Sequence, residues 1–134
     1  MKEKEIVEIF SNYHLGLFSA LIDKAPLRLY ALEMPIMTSD GTKRIDMVLE
    51  YQTSDNTMQN QLLVLEFKRF KVDIGVCEQA DRYRESVDRK LYRKIPTEVY
   101  LIGKLFSKYE TECAHRMNFH CVSYDPITGF MKLL

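Results

Sequence analysis

Apolar positions along the chain switch between a helical and a strand period, and the switches outline the elements. Between residues 3 and 22, Ile6, Phe10, Tyr13, Leu17 and Leu21 recur at spacings of three and four, which predicts a helix with one apolar stripe. Glu3 and Glu5 fall in its first turn, where the helix dipole favours negative charge. Pro26 helps to end it. Residues 27–37 (Leu-Arg-Leu-Tyr-Ala-Leu-Glu-Met-Pro-Ile-Met) read as a first strand, and Pro35 points to an irregular end or a sheet edge. Ser39-Asp40-Gly41-Thr42 signals a turn. A second strand over 44–51 follows, then a polar loop from Gln52 to Asn60. A third strand over 61–68 is almost wholly apolar up to Glu66. Strands that are apolar on both faces belong in the centre of a sheet.

A second helix is expected over 73–90, with Val72, Val76, Ala80, Tyr83 and Val87 on its buried side and Asp73 at its start. Residues 97–103 form a fourth strand ending at Gly103, residues 105–117 a third helix, and 119–124 and 129–134 two short closing strands around Asp125-Pro126. The order α-β-β-β-α-β-α-β, with one further strand, is a mixed α/β layout in which an antiparallel meander precedes a helical crossover. Neither an internal repeat nor a Pro/Gly-rich linker interrupts it, so residues 1–134 are expected to form one domain.

Composition narrows the setting. A hydrophobic content of 46% over 134 residues is enough for one core. No apolar run approaches the roughly 18 residues of a membrane span, and Met-Lys-Glu-Lys-Glu lacks the layout of a secretion signal. Three irregularly spaced cysteines (Cys77, Cys113, Cys121) fit a reducing compartment, so a cytoplasmic protein is expected. The net charge is zero, yet residues 68–94 carry nine Lys/Arg against five Asp/Glu. A neutral total of this kind is compatible with a basic face opposite an acidic one, and equally with one solvated helix of mixed charge.

The chemistry concentrates on the third strand. Glu66 and Lys68 are two apart and project to one face. If Tyr51 pairs with Gln61 across the hairpin, Asp46 lies opposite Glu66, with Cβ atoms about 4.5–5.5 Å apart. Two carboxylates so placed repel unless a cation lies between them, and a divalent ion with oxygen ligands suits such a pocket. In the same register Lys68 falls opposite Arg44, and these two cations are an alternative means of neutralisation by salt bridges alone. Pairing by itself leaves both open.

Arg44-Ile45-Asp46-Met47-Val48-Leu49, then Val64-Leu65-Glu66-Phe67-Lys68, then Gln79-Ala80-Asp81-Arg82-Tyr83 together resemble the PD-(D/E)xK nuclease superfamily. The likeness is to its RecB-like branch, which includes archaeal NucS-type endonucleases and nuclease-like domains attached to some ATPases, and it extends over residues 3 to 104. The resemblance implies a restriction-endonuclease-like core and a Mg²⁺- or Mn²⁺-dependent deoxyribonuclease, an endonuclease by expectation. Asp46, Glu66 and the main-chain carbonyl of Phe67 would hold the metal, Lys68 would orient or deprotonate the attacking water, and Gln79 and Tyr83 would position Lys68 and the phosphate. It also implies a further metal ligand from the first helix or strand. Glu33 and Glu8 rank first, ahead of Glu5 and His14. The Pro of the family's name is absent, since Arg44-Ile45 precedes Asp46, and no ATPase segment accompanies the motifs. DNA is the expected partner, with a homodimer and a separate targeting protein as further expectations. The alternative is a catalytically silent module that keeps the fold to bind nucleic acid or to serve an assembly.

Arg82, Arg84, Arg89, Lys90, Arg93 and Lys94 are candidates for tracking phosphates, with Tyr92 among them as a stacking residue. Against that, Arg82 and Arg84 have Glu78, Asp81, Glu85 and Asp88 as partners on the same helix. Cys113, His115, His120 and Cys121 lack the spacing of a closed zinc site.

Overall fold

Because the central strands are apolar on both sides, the chain has to cover both faces of its sheet, and it does so with two pairs of helices. In the computed structural model, which describes residues 1–24, 26–53 and 59–134, the chain opens with α1 (Glu3–Ile9), a π-helical segment (Phe10–His14) and α2 (Leu15–Leu21). There follow β1 (Arg28–Thr38), β2 (Gly41–Tyr51), β3 (Gln61–Phe67), β4 (Lys71–Val72), α3 (Ile74–Lys90), β5 (Glu98–Gly103), β6 (Leu105–Phe106), α4 (Lys108–Arg116), β7 (His120–Tyr124) and β8 (Met131–Leu133). The six-stranded sheet has the order β1-β2-β3-β5-β7-β8. Its β1–β2–β3 half is antiparallel, β3, β5 and β7 run parallel, and β8 closes antiparallel to β7. This is the mixed α/β layout expected. Residues 54–58 of the expected polar loop lie outside the described residues. No helix among the described residues is long and apolar enough to cross a membrane.

Alternation along the strands sorts the core into two halves. Leu62 and Val64 face α3 and pack with Val76, Ala80, Tyr83 and Val87. Leu63, Leu65 and Phe67 face the opposite way, toward Ile6, Phe10 and Phe18. Pro35 sits in the edge strand β1, where a missing N–H costs no ladder bond.

The first helix departs from its expected stripe. Ile6 and Phe10 are buried, but Tyr13 is 75% and Leu17 53% exposed, while Phe18 is fully buried. The π-helical turn over Phe10–His14 is the reason. It adds a residue to one turn and so rotates the following helix, bringing Phe18 in place of Leu17 onto the sheet. Phe10 makes edge-on contacts with Phe18, Phe67 and Tyr124 at centroid distances of 5.1–5.4 Å.

Two short strands were not expected from the pattern. β4 and β6 pair in parallel beyond the C-terminal ends of β3 and β5. The helix expected over 105–117 begins only after β6, at a capping box of Ser107 and Glu110. Gly103 permits this crossing: a Cβ there would stand 2.7 Å from Val72 Cγ2 and 3.3 Å from the Phe70 carbonyl oxygen. Val72 is itself buried and cannot yield. Gly103→Ala is therefore expected to cost about 1–3 kcal/mol through overpacking, seen as a melting temperature several degrees below wild type. An unchanged melting curve would show that the crossing is not tight.

Candidate metal centre

The β2–β3 pairs, from Tyr51↔Gln61 to Met47↔Leu65, keep the register in which Asp46 falls opposite Glu66. At that last step the strands are joined through a side chain. The Phe67 N–H donates to Asp46 Oδ2 at 2.9 Å. One residue on, the Lys68 N–H donates to the Ile102 carbonyl at 2.8 Å, which ties the end of β3 to β5. Glu66 is 4% exposed, and its Oε1 has no hydrogen-bond partner.

The electrostatics follow from that burial. Loss of solvent pushes the Asp46 carboxyl up to about 6, against the Phe67 N–H that favours its charged form; Glu3 and Glu33 add to the rise and Lys68 opposes it. Burial, and then the charge of Asp46, hold Glu66 well above the usual carboxylate range; the Asp46 backbone N–H and Lys68 pull the other way, and Glu3 again adds. Among the described residues, ion pairs within 4.0 Å join Arg28 to Glu50, Lys71 to Glu110, and Arg84 to Asp81 and Asp88. None includes Asp46, Glu66 or Lys68. Arg44 donates instead to the Glu33 carbonyl at 3.2 Å, so the salt-bridged patch is not formed.

Several side chains gather around this pair. Gln79 donates to the Tyr83 hydroxyl on the inner face of α3. Burial raises the Tyr83 pKa, and the charges of Glu66 and Asp46 contribute, so the phenol lies within their field. Asp46 also lines a cleft of about 260 Å³ with Lys4, Glu8 and Glu33. Glu33 has φ +50° within a strand, a left-handed conformation that costs energy for a residue with a side chain. Glu3 is felt by both central carboxyls, whereas Glu5 is solvent-exposed and His14 bonds the Tyr124 hydroxyl at 2.6 Å. Sequence reasoning placed Glu3 only as a helix-end charge. The one signal for a different role was its position at the helix start, which the helix dipole explained equally well.

The donor chemistry fits a divalent cation. A buried carboxylate oxygen without a partner, a second carboxyl beside it and a main-chain oxygen at Phe67 form a hard, oxygen-only set. Among the described residues, no three of His, Cys, Asp and Glu already converge as a metal cage. A cation would thus have two carboxyls and main-chain or water oxygens, with Glu3, Glu8 and Glu33 nearby. Of the earlier zinc candidates, His120 stacks on Tyr100 and His115 contacts the Leu134 carbonyl, while Cys113 takes a bond from Arg116.

The basic cluster divides. Arg84 is held by Asp81 and Asp88. Lys90 donates to the Pro35 carbonyl, the Arg93 guanidinium to the Asn60 carbonyl, and the Lys94 backbone N–H to the Gln59 side chain. Asn60 precedes β3, whereas Glu66 and Lys68 stand at its end, roughly 20 Å away at 3.3 Å per residue. Arg82 and Arg89 are exposed along the helix between these points, beside Met37 and Thr38 of the β1–β2 hairpin. Tyr92 is 86% exposed at the remote end. Lys68, the cation whose charge reaches both carboxyls, lines a further cleft with Arg69 and Lys104.

No protein-family model and no curated protein matches the sequence. Solved structures do match. A repair endonuclease from Pyrococcus abyssi superposes with a TM-score of 0.67 at 18% identity, over 94% of this chain and 48% of that one. EndoMS in complex with double-stranded DNA gives 0.64 at 13% identity, over 89% and 44%. An XisH family protein from Nostoc punctiforme gives 0.56 at 12% identity, over 98% of each chain. The fold is thus similar to that of the repair endonuclease, and the chain spans about half the length of the first two structures.

A carboxyl whose folded pKa lies above its unfolded value binds its proton more tightly in the folded state. The stability this contributes is complete below the unfolded value of 3.8 and is lost as pH rises through about 6. Metal-free protein is therefore expected to melt at a lower temperature at pH 7.5 than at pH 5, with Mn²⁺ restoring stability at the higher pH. Glu66→Gln, which removes the buried charge at little change in shape, should raise the melting temperature in EDTA at pH 7.5 by several degrees and abolish the response to Mn²⁺. Identical melting curves at both pH values would show that neither carboxyl is destabilised by ionisation.

Proposed function

We propose that the protein is a divalent-metal-dependent nuclease that hydrolyses phosphodiester bonds in DNA. The observation that carries this reading is the buried Glu66 with the half-buried Asp46 beside it, neither in an ion pair among the described residues, on the two strands where the sequence motif expects its metal ligands. The similarity of the fold to that of a repair endonuclease supports it, and EndoMS, of similar fold, is a protein that binds double-stranded DNA.

Asp46, Glu66 and the Phe67 carbonyl would hold Mg²⁺ or Mn²⁺, with Glu3, Glu8 or Glu33 completing the shell directly or through water. Bound there, the ion would supply Lewis acidity toward the scissile phosphate and a lowered pKa for water. The chain's own residues do the rest. Lys68 stands on the same face as Glu66, unencumbered by an ion pair, so its ammonium is available to orient the attacking water and to offset charge building on the phosphate. Gln79 and Tyr83 form a hydrogen-bonded pair on the facing helix and fix that side of the pocket. Burial of Glu66 keeps bulk water from its own carboxyl, which strengthens the interactions made there. A single site cuts a single strand, so two copies of the chain would serve a double-strand cut. Targeting would come from a further segment or a separate protein, as the greater length of the endonuclease neighbours suggests.

The test is cleavage of plasmid and oligonucleotide DNA. Activity is expected with Mg²⁺ or Mn²⁺ and not in EDTA, and Lys68→Ala should lower the rate by about 100-fold or more with an unchanged circular dichroism spectrum. Binding without cleavage in either metal would overturn the proposal in favour of the silent module.

A further inference from the structure

The β1–β2 hairpin packs along one flank of α3, and the two enclose a pair of adjoining hollows. The larger, about 500 Å³, is lined by Pro35, Ile36 and Met37 of β1, Thr42 of β2, and Ser86, Arg89 and Lys90 of α3. The smaller, about 270 Å³, adds Thr38, Ser39, Arg82 and Glu85, and shares Met37, Ser86 and Arg89 with the first. Ile36 is buried and supplies an apolar floor, whereas Met37 is 74% exposed. The Thr42 hydroxyl donates to Met37 Sδ at 3.3 Å, which holds the thioether on the wall common to both hollows.

The charges around that wall are open. Arg82 and Arg89 are both exposed and seven residues apart on α3, two helical turns or about 10 Å along the axis. Glu78 and Glu85 stand four residues before them, the spacing at which ion pairs close on a helix. Among the described residues neither pair is closed, and no ion pair within 4.0 Å includes Arg82 or Arg89. Asp81 and Asp88 of the same helix both turn to Arg84 instead. The groove therefore has an apolar centre, with Arg82, Arg89 and Lys90 around it against the single carboxylate of Glu85.

Charge and chemistry select the occupant. β1 is a sheet edge, yet it is closed to an added strand. Pro35 lacks an N–H, its carbonyl accepts from Lys90 at 3.0 Å, and the Glu33 carbonyl accepts from Arg44 at 3.2 Å. An occupant is thus held by side chains. Met and Arg are the residues that protein interfaces enrich, and a thioether adapts its shape to an incoming aliphatic chain. A phosphate backbone would meet the arginines but leave the Ile36 floor between them uncovered. A helix laid along α3 covers both, because carboxylates seven residues apart match the arginine spacing and an aliphatic side chain between them enters the hollow.

We propose that this groove docks an acidic amphipathic helix of a partner protein, with its aliphatic side chains beside Met37 and its carboxylates on Arg82 and Arg89. The cleft lined by Asp46 shares no residue with either hollow, so the docked helix leaves the carboxyl pair uncovered. The groove does not depend on the nuclease reading.

The test is fluorescence anisotropy of the full chain with a labelled helical peptide of roughly 18 residues, five turns. It carries two Glu seven positions apart and two Leu between them. Control peptides replace both Glu by Lys, or both Leu by Ser. The acidic Leu peptide should bind about tenfold more tightly than either control. Met37→Gln and Arg89→Glu, both at exposed positions, should each weaken it by about tenfold with unchanged melting curves. Arg89→Glu should also gain affinity for the Lys peptide. Absence of binding at about 1 mM acidic peptide, equal binding of the three peptides, or wild-type binding by both variants overturns the proposal. Displacement of the peptide by blunt duplex DNA, together with loss of DNA binding in Met37→Gln, overturns it in favour of a DNA surface. A dimer in sedimentation that Met37→Gln and Arg89→Glu dissociate overturns it in favour of a second copy of the chain. None of these readouts uses cleavage, so failure here leaves the nuclease reading untouched.

Discussion

Two carboxyl groups that the strand register forces together, one of them out of water, set the terms for the rest of this molecule. Unit charges about 5 Å apart repel by roughly 3 kcal/mol at an effective dielectric of about 20, and desolvation adds to that for a group as buried as Glu66. The fold does not relieve the strain by letting the strands part. Asp46 takes the N–H of Phe67 in place of a main-chain partner, so the carboxyl is part of the fastening between β2 and β3. The site and the sheet are held by the same contact.

That fastening is reinforced from both faces. Phe67 turns its ring away from the carboxyls and packs edge-on against Phe10, 5.1 Å between centroids. This locks the main chain of β3 at the residue whose N–H meets Asp46. From the neighbouring strand, Ile102 receives the Lys68 N–H. Glu66 and Lys68, between and beyond these anchors, have little freedom to move apart, and α3 closes the remaining side with Tyr83. The π-helical turn has a part in this. Without the extra residue, Leu17 would take the place of Phe18 under the sheet, and the edge-on Phe10–Phe18–Tyr100 contacts would not form.

Much of this was legible in the residue pattern, and the limits have physical causes. The hairpin register could be read because strands with buried faces tolerate no one-residue slip. The α3 stripe was legible because Val76, Ala80, Tyr83 and Val87 are spaced for one face and all face the core. The stripe of the first helix failed beyond Phe10, since periodicity assumes a constant twist and a π-turn breaks it. The late start of α4 was written in Ser107-Lys108-Tyr109-Glu110, a capping signal outweighed by the apolar residues before it. β4 and β6 were invisible because two-residue strands have no period. In the basic cluster of residues 82–94, linear charge density says nothing of which cations turn to carbonyls and carboxylates, as Lys90, Arg93 and Arg84 do. Arg69 and Lys104 were missed for the converse reason: only the β4–β6 crossing brings them together.

The treatment of charge elsewhere in the chain gives the carboxyl pair its meaning. Where a carboxylate is near a cation, the fold pairs them: Glu50 with Arg28, Glu110 with Lys71, Asp81 and Asp88 with Arg84. Apart from the buried Glu110, these are partly exposed groups for which pairing yields little, since solvent already screens them. Glu66, the most deeply buried carboxylate among the described residues, takes part in no ion pair, although Lys68 lies two residues along the same strand face and Arg44 two residues before Asp46. Arg44 is diverted to a carbonyl and Lys68 stays out of contact. A patch kept for stability alone would do the reverse, because closing a buried pair relieves far more energy than closing a surface one. Among the described residues, Asp46 and Glu66 are thus left without an ion pair beside the unpaired ammonium of Lys68, the opposite of the pairing made around them.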